Sequence, residues 1–384
     1  MKKLSLLHYI SVCLLAAATA LPAAAQQRRV SSYEKDYIFW GSPDAYLNYQ
    51  AKTGFPLIDQ MLQAYPPTAT PDKHRQMALV SLDQFLHDEG YTRREAFYTF
   101  VNSRMAHLLE DMNRPVLSGV RIYKLYNSGF ILKTLKNTIA IDIVQGGGSS
   151  SKGIVSDSVI YEIAYKCDAL IITNTDERHA SRKAAKAFAE AGKKVILPKG
   201  LWTNLGEALQ PAGADTVQTI ELDAMTLHIL PGHNGSNRNN ICIMDLKGCG
   251  IVAHTGAQDN AADLTWIEHL HEQYKTDILL TKSQNLDLES IVSGFRPRVL
   301  ITANENEMER SVDMREAYWT TQKRVNSLTA IDIPNIIMAW GEAYDYADTE
   351  SENISSSASK VMIDGVLYIE RKGAVYTPSG VKVR

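Results

Sequence analysis

Cysteine is scarce in this chain. Only Cys13, Cys167, Cys242 and Cys249 occur among 384 residues. Once Cys13, inside a leading apolar run, is set aside, the rest are scattered and odd in number, which excludes a disulfide framework and leaves at most one pair in an oxidising compartment. Charge of one sign is also lacking: 40 Lys and Arg stand against 43 Asp and Glu, with no long basic block. That balance gives no electrostatic footprint for nucleic acid or an anionic membrane, so the expected partner is a small molecule. Beyond the first residues no stretch has the roughly 18 uninterrupted apolar residues that span a bilayer, and no membrane span is expected. No G-x-S-x-G nucleophile elbow occurs, which argues against Ser-His-Asp hydrolysis. The glycine-rich "QGGGSSSKG" (145–153) fails as a phosphate loop, because Lys152 follows Ser151 and precedes Gly153 rather than following the second glycine of the motif.

The start of the chain carries Lys2 and Lys3, an apolar run from Leu4 to Leu21, then Ala23, Ala24 and Ala25 before Gln26. This reads as a secretory signal peptide over 1–25, giving an exported protein, periplasmic or extracellular, whose mature chain begins near Gln26. Val12 is too large for the small residue that precedes a lipidated cysteine. Hydrophobic residues make up 45% of the sequence, enough to bury a core.

Residues 26–117 read as a helical segment. In "TPDKHRQMALVSLDQFL", Thr70 is a candidate N-cap with Pro71 at the first helical position, and Leu79, Leu82 and Leu86 share one face. In the next helix Thr92 and Glu95 have capping-box spacing, and Phe97, Phe100, Val101, Met105 and Leu108 form a stripe. These stripes are expected to be core, although the segment could also offer a protein partner a surface. From 118 to 345, short runs rich in Val and Ile alternate with helical stretches, among them "NTIAIDIV" (137–144), "DALIIT" (168–173), "NICIMDL" (240–246) and "RVLITA" (298–303). The class is α/β. Lys247-Gly248 reads as a hairpin turn, which implies a mixed sheet. Residues 346–384 read as a polar, serine-rich linker followed by a short β extension.

The turn "NTDERH" (174–179) is crowded with polar groups and follows a predicted strand. "LPGHNG" with His233, "HTGAQDN" with His254, and "TANENEM" with Asn304 also follow predicted strands. Polar groups at strand ends along one edge are how many α/β proteins assemble a site. In order and spacing these segments, with "LYNSGFILKT", "VILPKG" and "DMREAYW", resemble the metallo-β-lactamase fold superfamily, particularly its large bacterial hydrolases. The resemblance covers about 118–320 and implies a four-layer αββα sandwich with a site at one edge of two sheets. It also implies two metal ions, usually zinc, held by an H-x-H-x-D-H loop, a later His, a Gly-Asp pair and a final His.

Laid over this chain, that motif puts Asn174 and Asp176 on the first two histidines, Arg178 on the aspartate and His179 on the last histidine. His233 takes the next ligand position. The Gly-Asp pair falls on Gly256-Ala257, and the final histidine on Asn304. Catalytic zinc needs about three protein ligands and an open position for water, and neutral asparagine is a poor zinc ligand. A guanidinium cannot deprotonate and repels a cation. The expectation is therefore a degenerate di-metal centre with no metal cofactor. Arg178 is expected to fill the space and supply the charge of a lost metal, paired with Asp176 or Asp259. Asn174, Asp176, Arg178, His179, His233, Ala257 and Asn304 would form the remnant pocket, suited to an anionic or hydroxylated small molecule. The alternative is a hydrolase with one divalent ion (zinc, manganese or iron) drawn from Asp176, His233, His179 and Asp259. A third reading makes 26–117 an interaction module. Cys167 is expected to be a buried structural residue, and His269 and His271, two apart, a poor metal pair.

Overall fold

The computed structural model describes residues 42–147, 153–206, 208–213, 215–328, 333–347, 358–363, 366–371 and 374–376. The expected signal peptide lies outside them, as do most of the serine-rich linker and residues 148–152 of the glycine-rich loop. Contacts divide the chain into two units, 1–49 and 50–384. Helix α1 (Pro43–Ala64) begins in the first and continues into the second.

The second unit continues with α2 (Lys73–Leu86), α3 (Glu89–Thr92) and α4 (Glu95–Asp111). The meander β1 (Val120–Lys124), β2 (Phe130–Lys133), β3 (Thr138–Ile141) follows, then α5 (Asp157–Lys166), β4 (Ala169–Ile171), α6 (Arg182–Glu190), β5 (Lys194–Pro198) and β6 (Leu209–Ala212). A second meander comprises β7 (Gln218–Leu222), β8 (Met225–Asn234), β9 (Asn237–Asp245) and β10 (Ile251–His254). After it come α7 (Leu264–Ile267), β11 (Ile278–Lys282), α8 (Leu288–Phe295), β12 (Val299–Ala303), α9 (Tyr318–Asn326), β13 (Asn335–Ile336) and β14 (Ala343–Tyr346). The C-terminal strands β15 (Ala358–Ile363), β16 (Val366–Arg371) and β17 (Ala374–Tyr376) pair only with one another among the described residues.

The other strands form two seven-stranded sheets, ordered β14-β1-β2-β3-β4-β5-β6 and β13-β12-β11-β10-β9-β8-β7. Each is antiparallel through its meander and parallel beyond it: β3, β4, β5 and β6 run parallel in the first sheet, and β10, β11, β12 and β13 in the second. The turn between β9 and β10 is the expected hairpin, with Lys247 and Gly248 both at positive φ.

Alternation along the strands makes the layers. Ile139 and Ile141 of β3, Phe130 and Leu132 of β2, and Ile278 and Leu280 of β11 all belong to one apolar cluster, which lies between the two sheets. Their neighbours Ala140 and Ile131 face the other way, into a cluster shared with Phe55, Leu82, Phe97, Ile160 and Phe188 of the helices on the first sheet. Leu279 and Leu300 face a third cluster with Ile267, Ile291 and Phe295 of α7 and α8. Helix, sheet, sheet, helix is the four-layer αββα sandwich. The stripes of α1, α2 and α4 are thus covered by the first sheet, as amphipathic periodicity requires.

Local details differ from expectation. The N-cap of α2 is Asp72, whose carboxylate accepts from His74 N at 2.7 Å, so the helix starts after Pro71 rather than on it. Thr92 ends α3, and α4 has Arg94 at its N-cap without a side-chain bond, so no capping box forms. Strand β3 stops at Ile141 because Asp142 turns into the left-handed region at φ 48°. His233 lies within β8, not after it.

Candidate functional site

The parallel strands of both sheets deliver their following loops to one edge. Asp142 follows β3, 174–179 follows β4, 255–259 follows β10, and 304–307 follows β12. Four of the non-glycine residues at positive φ, Asn127, Asp142, Asn304 and Asn306, belong to these loops and the β1–β2 turn. Asn and Asp tolerate that region better than other side chains, and such conformations persist only where surroundings fix them.

Here hydrogen bonds fix them. Asp142, fully buried, accepts from Thr173 N (2.8 Å) and Thr173 Oγ1 (2.7 Å), and its Oδ2 also holds His179 Nδ1 at 2.7 Å. Asn174 accepts from Asp176 N at 2.9 Å through Oδ1. The Asp176 carboxylate accepts from Arg178 Nε at 2.8 Å and from Arg178 N at 3.0 Å. Those bonds hold the Asp176 carboxyl at about 2, below the usual carboxylate range. Arg178 also lies 3.7 Å from the buried Glu307 Oε1, while Glu307 Oε2 accepts from Arg310 Nε at 2.6 Å. Asn304 accepts from Ser128 Oγ at 2.6 Å and takes its own N–H to Asn127 O. Asn127 Nδ2 donates to Arg178 O at 2.9 Å, closing the ring of contacts.

Asn174, Asp176, Arg178 and Asn304 therefore belong to one network that also includes Glu307. Ala257 joins it through Asn239, whose Oδ1 accepts from Ala257 N at 2.8 Å and lies 3.4 Å from Asn174 Nδ2. His233 is set apart. Its Nδ1 faces Asp263 Oδ1 at 3.0 Å, and its N–H donates to Gln258 at 2.8 Å. Beside it opens a cleft of about 200 Å³ lined by Thr175, Lys199, Asp215, Arg238 and Asn239. Arg178, His179 and Asn304 do not line this cleft.

The donor chemistry does not fit a metal centre. Of the single-ion set, both acids are held by cations, Asp176 by Arg178 and Asp259 by Lys282 at 2.9 Å; His179 and His233 give only Nδ1 to Asp142 and Asp263, a contact that does not engage Nε2, so two imidazoles set apart from one another are what remains. Of the two acids offered to Arg178, Asp176 takes it and Asp259 does not. Ala257 has no donor atom, and the oxygens of Asn174 and Asn304 already accept hydrogen bonds. Among the described residues no group of three His, Cys, Asp or Glu side chains converges as a metal site.

Sequence reasoning missed Asp142, Asn239, Asp263, Lys282 and Glu307. Their roles depend on contacts with residues far away in the sequence, two of them, Asn239 with Asn174 and Glu307 with Arg178, across the two sheets, and no local spacing marks them. It singled out His254 only as a strand-end residue. That imidazole is fully buried, donates from Nε2 to Ser128 O (3.1 Å) and accepts from Gly256 N at Nδ1 (3.0 Å). Burial lowers it to about 4. A base depressed on folding contributes stability that is complete above its unfolded value near 6.5 and is lost as pH falls through 4. This shift is worth roughly 3 kcal/mol. Urea unfolding between pH 7 and 4 is expected to show that loss, and His254→Gln is expected to flatten it. An unchanged slope in the variant would assign the acid sensitivity elsewhere.

Of the cysteines, Cys167 and Cys242 are buried and Cys249 is half-buried, all three free. Burial raises the Cys167 thiol, as suits a packed residue.

No protein-family model matches the chain, and no curated protein matches it. Solved structures do. Igni18, a novel metallo hydrolase from the hyperthermophilic archaeon Ignicoccus hospitalis, is 19% identical over 60% of this chain and 99% of its own, with a TM-score of 0.46. The metallo-β-lactamase fold protein YhfI from Bacillus subtilis is 11% identical, covering 59% and 99%, with a TM-score of 0.43. An isothiocyanate hydrolase from Delia radicum gut bacteria is 13% identical, covering 59% and 99%, at 0.44. The fold itself is read from the two sheets and their three apolar layers.

Proposed function

We propose that this chain is an exported protein that carries a degenerate metallo-hydrolase site and acts by binding a small anionic molecule rather than by hydrolysis. The observation that carries the reading is the pairing of Arg178 with Asp176: a permanent cation stands at a metal-ligand position and occupies the carboxylate beside it. Cation and metal compete for the same acid, and the guanidinium cannot give way by losing its proton. The cleft beside His233 supports an anionic ligand through Lys199: Arg238 and Asp215 pair with one another at 2.5 Å, which leaves the Lys199 ammonium as the charge of the lining that no lining acid balances. Export is proposed from the charged and apolar leader of the sequence.

Turnover tests the reading. After dialysis against zinc, manganese or iron, the protein is expected to hydrolyse a β-lactam, a thioester, a lactone and a phosphodiester no faster than its His233→Ala variant. Metal-dependent hydrolysis lost in both Asp176→Ala and His233→Ala would overturn it. For the ligand class, citrate and inorganic phosphate are expected to raise the melting temperature of the wild type and not of Lys199→Ala/Arg238→Ala. Equal stabilisation of both proteins would remove the cleft from the account.

A further inference from the structure

A cavity of about 430 Å³ lies between α1, α4 and the strands β1 and β14, outside the network at the sheet edge. We propose that it is a second small-molecule site, for a neutral polyhydroxylated ligand of monosaccharide or disaccharide size. Its volume falls within the ~300–1,000 Å³ of small-molecule pockets.

The first observation is an unpaired donor. Tyr123 lines the cavity, is fully buried, and its hydroxyl makes no well-formed hydrogen bond, with the Asp111 carboxylate and the Arg121 guanidinium as polar neighbours. Burial raises this phenol well above its ordinary range, so it stays protonated. A buried donor left unmade is costly, and a ligand oxygen placed there removes the cost.

The second observation is how the charges are arranged. Arg104, itself buried, pairs with Asp59 through Nη1 and donates from Nε to Trp340 O at 2.6 Å. Arg121 Nε pairs with Asp111 at 2.7 Å. A ligand carboxylate would have to take these guanidinium groups from acids they already hold, and a ligand ammonium would have to take the acids. A hydroxyl donates once and accepts twice, so it can bridge an ion pair without breaking it. Interleaved acids and guanidinium groups therefore select a ligand rich in hydroxyls and without net charge. Pro66, which is exposed, adds an apolar surface against which a ring carbon face can pack.

Equilibrium binding of D-glucose and maltose to the full chain tests this, with L-glutamate and citrate as charged comparators. At least one sugar is expected to bind, and Tyr123→Phe, which keeps the ring, is expected to weaken it about five-fold, as loss of one hydrogen bond implies. Gln63→Trp, at the exposed rim, is expected to block sugar binding and gives a second reading should Tyr123→Phe fail to fold. Lys199→Ala/Arg238→Ala is expected to leave sugar binding unchanged, which separates this site from the anion cleft. The proposal is overturned by any of three results: no binding of either sugar at roughly 10 mM, a range that tests even weak affinity, equal binding by wild type and both cavity variants, or a preference for glutamate or citrate blocked by Gln63→Trp.

Discussion

Lys124→Met is expected to destabilise the protein by about 3–5 kcal/mol, the cost of leaving a buried charge without its partner. Lys124 and Glu305 are both fully buried, with Nζ 3.6 Å from Oε2. Neither Glu305 oxygen has a hydrogen bond, so the ammonium is the nearest compensation for that carboxylate. Nζ donates to Asn127 O at 2.8 Å and lies 4.5 Å from the centre of the Phe130 ring. Burial lowers the ammonium to about 8 while Glu305 pulls it up, so it remains largely charged at neutral pH. The pair ties β1 of one sheet to the loop after β12 of the other, beneath Asn127 and Asn304. Urea unfolding measures the effect, and Lys124→Met/Glu305→Gln is expected to recover a large part of it. A loss below about 1 kcal/mol, the scale of an exposed pair, would mean the two charges are compensated elsewhere.

Arg75→Met has the next largest expected effect, about 3–4 kcal/mol on the same physical ground. From α2, Arg75 reaches Glu342 with both terminal nitrogens, at 2.8 Å and 2.6 Å, and also donates to Tyr65 O and Ile337 O. Its side chain is 1% exposed and that of Glu342 6%. Removing the guanidinium strands one carboxylate and two carbonyls together. Arg104, 3.5 Å from Glu342, retains some compensation, which keeps the expected loss toward the lower end of the range. Chemical denaturation of Arg75→Met, Glu342→Gln and the double variant gives the coupling. Additive single effects would show that Arg75 acts through packing alone.

Much of the fold was legible because burial writes a period into the sequence. In "NTIAIDIV" the alternate residues Ile139 and Ile141 face the other sheet while Ala140 faces the helices, and the run reads as a strand for that reason. The turn Lys247-Gly248 was legible because a tight hairpin needs positive φ there. Lys124 was not legible. A lysine at a strand end ordinarily reads as solvated, and the partners that make its burial tolerable include Glu305, far along the chain. The candidate site divides in the same way. Arg178 with Asp176 is a contact two residues apart and is local enough to be read from the sequence. Asp142 under His179, Asp263 beside His233 and Lys282 on Asp259 come from segments 23 or more residues away. Those partners decide whether donor atoms converge, and no local pattern reports them.

On the proposed reading, the acids Asp176 and Asp259 at this sheet edge are held by cations and the edge carries no metal. Elemental mass spectrometry of the purified protein, dialysed briefly against zinc, manganese and iron, tests it most directly, with His233→Ala as the control. The account predicts metal far below one equivalent in both proteins. Near-stoichiometric metal in the wild type that falls in His233→Ala would contradict it and make the chain a metalloprotein at this edge.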